Sequence, residues 1–197
     1  MDKEAIRQKI WDYMEKNNLV TFPRPCYGRI PNFVGAKAAG EKIQKLKEFQ
    51  QAKAVFSAPD SSLIEVRHQT LLAGKSLLVA LPHKVGYREL FGKELADKGI
   101  TISGFSRYGK EPKTPVDLFV QGSVAVDLKG NRLGKGKGYG DKEYWELKNQ
   151  GLLNFWCKVV TVVHDCQIVD DFSSIMEALD VKVDYILTPT QIIAISH

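Results

Sequence analysis

From Gly130 to Asp141 the chain reads Gly-Asn-Arg-Leu-Gly-Lys-Gly-Lys-Gly-Tyr-Gly-Asp. These residue types suit the binding of a phosphorylated ligand. Glycines at 134, 136, 138 and 140 alternate with Lys135, Lys137 and Tyr139. Without a Cβ, glycine takes positive φ and lets the backbone approach a ligand closely. Successive N–H groups in such a loop form an anion-binding nest. Arg132, Lys135 and Lys137 add positive charge, and Asp141 offers the hard oxygen that Mg²⁺ prefers. The spacing excludes two common phosphate motifs. A Walker loop needs Gly, four residues, then Gly-Lys and a hydroxyl residue, and no register supplies that. The dinucleotide fingerprint follows directly on a strand, whereas residues 129–132 read as a turn. A flexible surface loop is the plain alternative for any glycine run, and it leaves the bracketing by Arg132 and Asp141 unexplained.

The elements around this loop alternate between helix and strand. Asp2 to Lys16 reads as a capped helix with Ile6, Ile10, Tyr13 and Met14 on one face. Lys3 and Arg7 are four apart and share another face, with a solvated basic stripe as the simpler reading. Phe22 to Phe33 holds Pro23, Pro25 and Pro31 and reads as an extended arm. Helical periodicity returns over 36–51, followed by a strand at 52–57 and a helix to Ala73 capped by Asp60 or Ser61. Residues 75–81 are strongly β, followed by a Pro82-His83 turn and a helix near Tyr87 to Lys98. Ile100 to Phe105 and Val116 to Val120 read as buried strands, and Val124 to Asp127 starts a hairpin toward the glycine loop. A helix over 142–150 follows, whose N-terminus favours phosphate. Val159 to Val163 is a core strand, Ser173 to Leu179 a short helix, and residues 185–187 and 192–195 complete the sheet. This alternation predicts one three-layer αβα domain over residues 1–197.

Bulk properties narrow the function classes. With 197 residues, 44% hydrophobic and 26% charged, the chain has material for one substantial core. No apolar run reaches membrane-spanning length, and the first thirteen residues lack a signal-peptide core, so a cytoplasmic location is expected. Three cysteines without C-x-x-C spacing point to neither a disulfide framework nor a zinc site. The net charge of +5 is dispersed, which suits an anionic small molecule better than nucleic acid.

Taken in order, the residues resemble the 5-formyltetrahydrofolate cyclo-ligase (methenyltetrahydrofolate synthetase) family along nearly the whole chain. The series runs from Lys3 and Arg7 through Gly74-Lys75, Leu81-Pro82, Glu111-Pro112, Asp117 to Gly122, the whole Gly130–Asp141 loop and Gln167 to Asp180-Val181-Lys182-Val183-Asp184 and Thr188. Phe22-Pro23-Arg24-Pro25, Arg29-Ile30-Pro31-Asn32-Phe33, Val163-His164-Asp165-Cys166-Gln167 and the run from Asp184 to Thr190 are similar to the methenyltetrahydrofolate synthetase domain-containing branch. The resemblance implies a NagB/RpiA/CoA-transferase-like α/β fold. It also implies ATP- and Mg²⁺-dependent closure of 5-formyltetrahydrofolate to 5,10-methenyltetrahydrofolate, with ADP and phosphate released. By resemblance, Lys3 and Arg7 contact ATP phosphates. Arg132 and the segment Gly134, Lys135, Gly136, Lys137, Gly138, Tyr139 and Gly140 wrap them, with Arg132, Lys135 and Tyr139 nearest the chemistry. Asp141 and Asp180 hold Mg²⁺. Arg7 and Tyr139 also face the reduced folate.

Three further residues are candidates for the substrate. Arg24 and Arg29 on the arm offer planar forks for an anionic tail such as a polyglutamate, or are simply solvent-exposed. His164 follows a core strand and can act as an acid or base, or it makes a structural hydrogen bond. The sequence also departs from the family. Ser57-Ala58-Pro59-Asp60-Ser61-Ser62 replaces an acidic signature, and Tyr87, Leu90 and Phe91 stand where a Met-x-Phe element belongs. Gln121-Gly122 replaces Pro-Gly, and Gly140 replaces the second tyrosine of Tyr-Tyr-Asp. An ATP-using paralogue with another acceptor, or a non-catalytic binding module, are the other readings.

Overall fold

The computed structural model describes residues 1–197, apart from the side chain of Lys84. Helix α1 (Lys3–Lys16) begins where Asp2 accepts the Ala5 N–H at 2.7 Å, satisfying one of its free N-terminal donors. Ile6, Ile10, Trp11 and Met14 are its buried residues, so Trp11 takes the place expected for Tyr13, which is exposed. The proline-rich arm folds back on α1. Glu15 accepts from the Cys26 N–H (2.7 Å) and from Arg24 Nη2 (2.8 Å), and Trp11 Nε1 donates to the Arg29 carbonyl (3.0 Å). The helix expected over 36–51 is three pieces: α2 (Ala36–Glu41), a 3₁₀ turn (Lys42–Lys45) and α3 (Lys47–Gln51). Leu46 turns extended between them, and the break lets Ile43, Leu46 and Phe49 all reach the core.

The remaining elements in chain order are β1 (Ala54–Ser57), α4 (Ile64–Leu72), β2 (Ser76–Ala80), β3 (Tyr87–Leu90), α5 (Ile102–Tyr108), β4 (Val116–Gly122), β5 (Ala125–Val126), β6 (Arg132–Leu133), α6 (Tyr139–Asn149), β7 (Leu153–Val162), β8 (Tyr185–Leu187) and β9 (Ile192–Ala194). Seven strands form one sheet in the order β3-β2-β1-β4-β7-β8-β9. The five inner strands are parallel and the two edges antiparallel. Continuous apolar runs such as Leu118-Phe119-Val120 are wholly buried, as parallel strands covered on both faces require. Successive residues of β2 enter different cores: Leu78 and Ala80 join the main one, while Leu77 and Val79 pack with Leu71 of α4 and Phe105 of α5. The sheet is therefore the middle of three layers, the αβα arrangement expected.

Three elements differ from expectation. Tyr87 to Leu90 is an edge strand rather than part of a helix, because Gly86 and Gly92 at positive φ bracket it and β2 offers a free edge. Ile100 to Phe105 is not a strand: Thr101 Oγ1 accepts the Gly104 N–H and α5 starts at Ile102. Ser173 to Leu179 contains only a 3₁₀ turn, Ser173–Ile175. Three elements are longer than expected, β4 running on to Gly122. β7 begins at Leu153, and α6 begins at Tyr139, which puts Tyr139, Gly140 and Asp141 in its first turn.

Candidate active site

From β1 the chain moves outward one way to β2, while β4 lies on its other side. The crevice between the carboxyl ends of β1 and β4 is thus a topological switch point, where open α/β sheets place their ligands. A cleft of about 430 Å³ opens there. Its floor comes from Ala58, Pro59 and Asp60 after β1 and from Gln121 and Gly122 at the end of β4. Its wall is the whole segment from Arg132 to Asp141, and α1 contributes Lys3 and Arg7 from the far end of the sequence.

The hairpin β5–β6 aims the glycine loop. Asp127 is fully buried and accepts from the Lys129 N–H (2.9 Å), the Asn131 N–H (3.0 Å) and Asn131 Nδ2 (2.8 Å), which closes the turn before β6. Arg132 on β6 then points inward, donating from Nη1 to the Gly122 carbonyl at 2.7 Å, with Nη2 standing 3.7 Å from Asp141 Oδ1. Gly136 and Gly138 adopt φ of +106° and +70°, turns that a side chain would strain, and Gly138 leads directly into α6. Arg7 donates from Nε to the Gly134 carbonyl at 2.7 Å, tying α1 to the loop. Lys135 Nζ lies 6.0 Å from the centre of the Tyr139 ring.

Charges of both signs share the cleft. Lys3, Arg7, Arg132, Lys135 and Lys137 face Asp60, Asp141, Glu143, Glu177 and Asp180. Lys3 bonds Asp180 at 3.0 Å and Glu177 at 3.3 Å. Burial pulls its ammonium down, but the two carboxylates outweigh that and hold it above the ordinary lysine value. Asp180 also accepts the Glu177 N–H (2.7 Å), and Asp141 accepts the Val181 N–H (3.0 Å). Burial raises the Asp60 carboxyl, against the opposing pull of Arg67, Lys135 and Arg132. Arg67 beneath it is 2% exposed and donates to the carbonyls of Ala58 (2.8 Å), Asp60 (3.0 Å) and Ile100 (2.9 Å). It fixes the backbone that carries Asp60.

Lys3, Arg7, Arg132, Gly134, Lys135, Gly136, Lys137, Gly138, Tyr139, Gly140, Asp141 and Asp180 are therefore brought to one cleft. Arg24, Arg29 and His164 do not line it. Arg24 is paired with Glu15, and Arg29 is exposed on the arm. His164 caps the turn Asp165–Gln167 by accepting the Cys166 N–H on Nδ1 (3.1 Å), and Asp165 accepts from the hydroxyls of Thr188 and Thr190. Burial pushes the Cys166 thiol up to about 11, consistent with a small packed residue. Asp60, Gln121, Glu143 and Glu177 are cleft residues that the sequence reading missed as such. Asp60 looked like a helix cap, but its side chain caps nothing. The one available signal was the position of Asp60 and Gln121 at strand ends.

The donor set fits a nucleotide polyphosphate. Arg132 Nε is buried with no hydrogen-bond partner among the described residues, and nothing lies within 4 Å of where a Cβ on Gly138 would stand. It also fits Mg²⁺. Asp141 and Asp180 each retain lone pairs beyond the bonds above. Among the described residues no group of three or more His, Cys, Asp or Glu could hold a metal, while Mg²⁺ ordinarily takes one or two carboxylates beside substrate phosphates.

The fold and the cleft together describe an open α/β protein with its candidate ligand site at the sheet's switch point. Sequence comparison specifies the kind: residues 1–189 match the model of the 5-formyltetrahydrofolate cyclo-ligase family, and the chain belongs to that family. It is 42% identical over 98% of its length to the methenyltetrahydrofolate synthase domain-containing proteins of Bos taurus and Homo sapiens. The chain spans 54% of the length of those relatives. It is 27% identical to a probable 5-formyltetrahydrofolate cyclo-ligase of Schizosaccharomyces pombe, covering 91% of this chain and 98% of that one. The solved 5,10-methenyltetrahydrofolate synthetase of Aquifex aeolicus shares the fold with a TM-score of 0.65 at 21% identity, over 100% of this chain and 94% of that one. No helix among the described residues is long and apolar enough to cross a membrane.

Proposed function

We propose that this chain catalyses the ATP- and Mg²⁺-dependent closure of 5-formyltetrahydrofolate to 5,10-methenyltetrahydrofolate, releasing ADP and phosphate. The observation that carries the proposal is the convergence of Lys3, Arg7, Arg132 and Lys135 on a left-handed glycine turn, with Asp141 and Asp180 at its rim. A formamide oxygen is a poor leaving group. Bound ATP supplies a phosphoryl group that converts it to a good one, and Mg²⁺ neutralises charge between the phosphates. The protein's part is positioning and electrostatic stabilisation, as in phosphoryl transfer generally.

Arg132 is the best preorganised of the cations, since its side chain is 4% exposed and anchored on Gly122. Arg7 holds the loop through Gly134 and leaves its guanidinium beside Gly136. Lys3 enters already paired with Asp180, so the two form a charge-matched end to the cleft. With acids interleaved among the cations, bare polyphosphate meets carboxylates as well as donors, which favours the metal complex over the free anion. Arg24, Arg29 and His164 lie off this cleft and are assigned no part in the reaction core.

Incubation with 5-formyltetrahydrofolate, ATP and Mg²⁺ should yield the absorbance of the methenyl product together with stoichiometric ADP. ATP binding without product would refute the folate assignment. ADP release with another heterocyclic formamide, but not with this one, would move the reading to a different acceptor.

A further inference from the structure

Gln121 lies near the end of β4 on the floor of the cleft and is 1% exposed. Neither its Nε2 nor its Oε1 has a hydrogen-bond partner among the described residues. A buried amide left unpaired costs folding free energy, so it calls for a partner from outside the fold. Its neighbours show where that partner would sit. A Cβ built on Gly140 would stand 2.7 Å from Gln121 Nε2 and 2.7 Å from Arg132 Nη2, so the amide and the guanidinium both border the first turn of α6. Arg132 Nε is likewise buried and unpartnered.

The chemistry of the amide selects its ligand. Whichever way it is turned, it presents an NH₂ donor at one end and a carbonyl acceptor at the other. Phosphate at neutral pH offers chiefly acceptors, and a carboxylate only acceptors, so neither satisfies both ends. A ligand edge that carries an acceptor next to an N–H does. We infer that Gln121 positions the acceptor substrate through such an edge, an inference that rests on the function proposed above. In 5-formyltetrahydrofolate the formyl oxygen is an acceptor and N10–H a donor, and these belong to the two groups that must meet in ring closure. Gln121 donating to the first and accepting from the second holds them on one side of the cleft, next to Arg132. It takes no proton itself, and its effect is orientation. The space for the amide exists because residue 140 is glycine, which links the two departures Gln121 and Gly140 into one feature.

The test replaces Gln121 with Met, similar in length and without strong hydrogen-bonding groups, and with Leu, shorter and likewise without them. Steady-state turnover is measured with 5-formyltetrahydrofolate and ATP varied separately, alongside the melting temperature of the ligand-free protein. Gln121→Met should lower kcat/KM for the formyl substrate at least ~10-fold, leave KM for ATP within about twofold, and melt at or above the temperature of the unaltered chain. Gln121→Leu should show the same selective kinetic loss, and it stands in for Met should that variant not fold. Undiminished kcat/KM in a folded variant, a loss confined to the KM for ATP, or a lower melting temperature without selective kinetic loss would overturn the assignment. Absence of turnover by the unaltered chain would sink the functional proposal and this one with it; normal turnover by the variants sinks this one alone.

Discussion

Gly140→Ala puts the architecture of the cleft to its sharpest test, because local and tertiary effects have opposite signs. Residue 140 lies in the first turn of α6 with ordinary helical φ. On propensity alone, alanine there would stabilise the helix by about 1 kcal/mol. The new methyl, however, would stand 2.7 Å from both Arg132 Nη2 and Gln121 Nε2, well inside van der Waals contact. The guanidinium must turn, and its 2.7 Å bond to the Gly122 carbonyl is the one at risk. A charge-assisted bond of this kind contributes roughly 1.5–3 kcal/mol. The net expectation is a loss of about 0.5–2 kcal/mol, which for a chain of this size lowers Tm by about 1–8 °C. The kinetic effect should be larger. Misplacing a positioned group by an ångström costs about 100-fold, so kcat/KM for ATP should fall by that order while most of the protein stays folded. Scanning calorimetry and coupled ADP release measure the two effects. Gly138→Ala is the contrast: its Cβ meets nothing within 4 Å, but φ is +70°, so the cost is a backbone one of about 1–2 kcal/mol. A Gly140→Ala protein with raised Tm and undiminished turnover would refute the reasoning.

Asp141→Asn keeps an oxygen to accept the Val181 N–H but removes the charge. It should raise the Mg²⁺ concentration needed for half-maximal turnover by about 10-fold or more with little change in Tm, and an unaltered Mg²⁺ titration would remove Asp141 from the metal site. Arg67→Met strips donors from the buried carbonyls of Ala58 and Ile100 and the half-buried one of Asp60, so a loss of about 3–5 kcal/mol is expected, read as a Tm drop of roughly 6–20 °C; a shift under about 2 °C would show that Asp60 does not depend on it. Glu89 is pulled upward by burial, but the N–H groups of Lys113 and Thr114 and the Thr114 hydroxyl hold it below its ordinary 4.5. A depressed carboxyl contributes stability that is present above the unfolded value and lost as pH falls through the folded one. Glu89→Gln should therefore cost about 1–2 kcal/mol at pH ~7, with the difference shrinking below the unfolded 4.5, as followed by urea unfolding; a difference independent of pH would exclude the linkage.

What the sequence determined by itself is what is local along the chain. The glycine loop was legible because its chemistry lies within the ten residues from Arg132 to Asp141, and helix α1 because Asp2 and a period near 3.6 mark it. The strands β1, β2 and β4 were legible because apolar runs of that length suit a covered parallel sheet. Tertiary structure decided whatever depends on a distant partner. Tyr87 to Leu90 is a strand because it pairs with the edge of β2 that β1 leaves open, and nothing within residues 87–98 expresses that. Lys3 reaches Asp180 across a sequence separation of 177 residues, and Asp60 and Gln121 become cleft residues only because β1 and β4 are adjacent at the point where the strand order reverses. Arg24 and Arg29 read as anion binders or exposed arm residues, and His164 as an acid–base group or a structural hydrogen-bonder, until packing committed Arg24 to Glu15, left Arg29 on the arm and turned His164 into a cap. A residue type states which bonds a side chain can form; the fold decides which of its candidate partners comes within three ångströms, and so which residues are left facing the cleft.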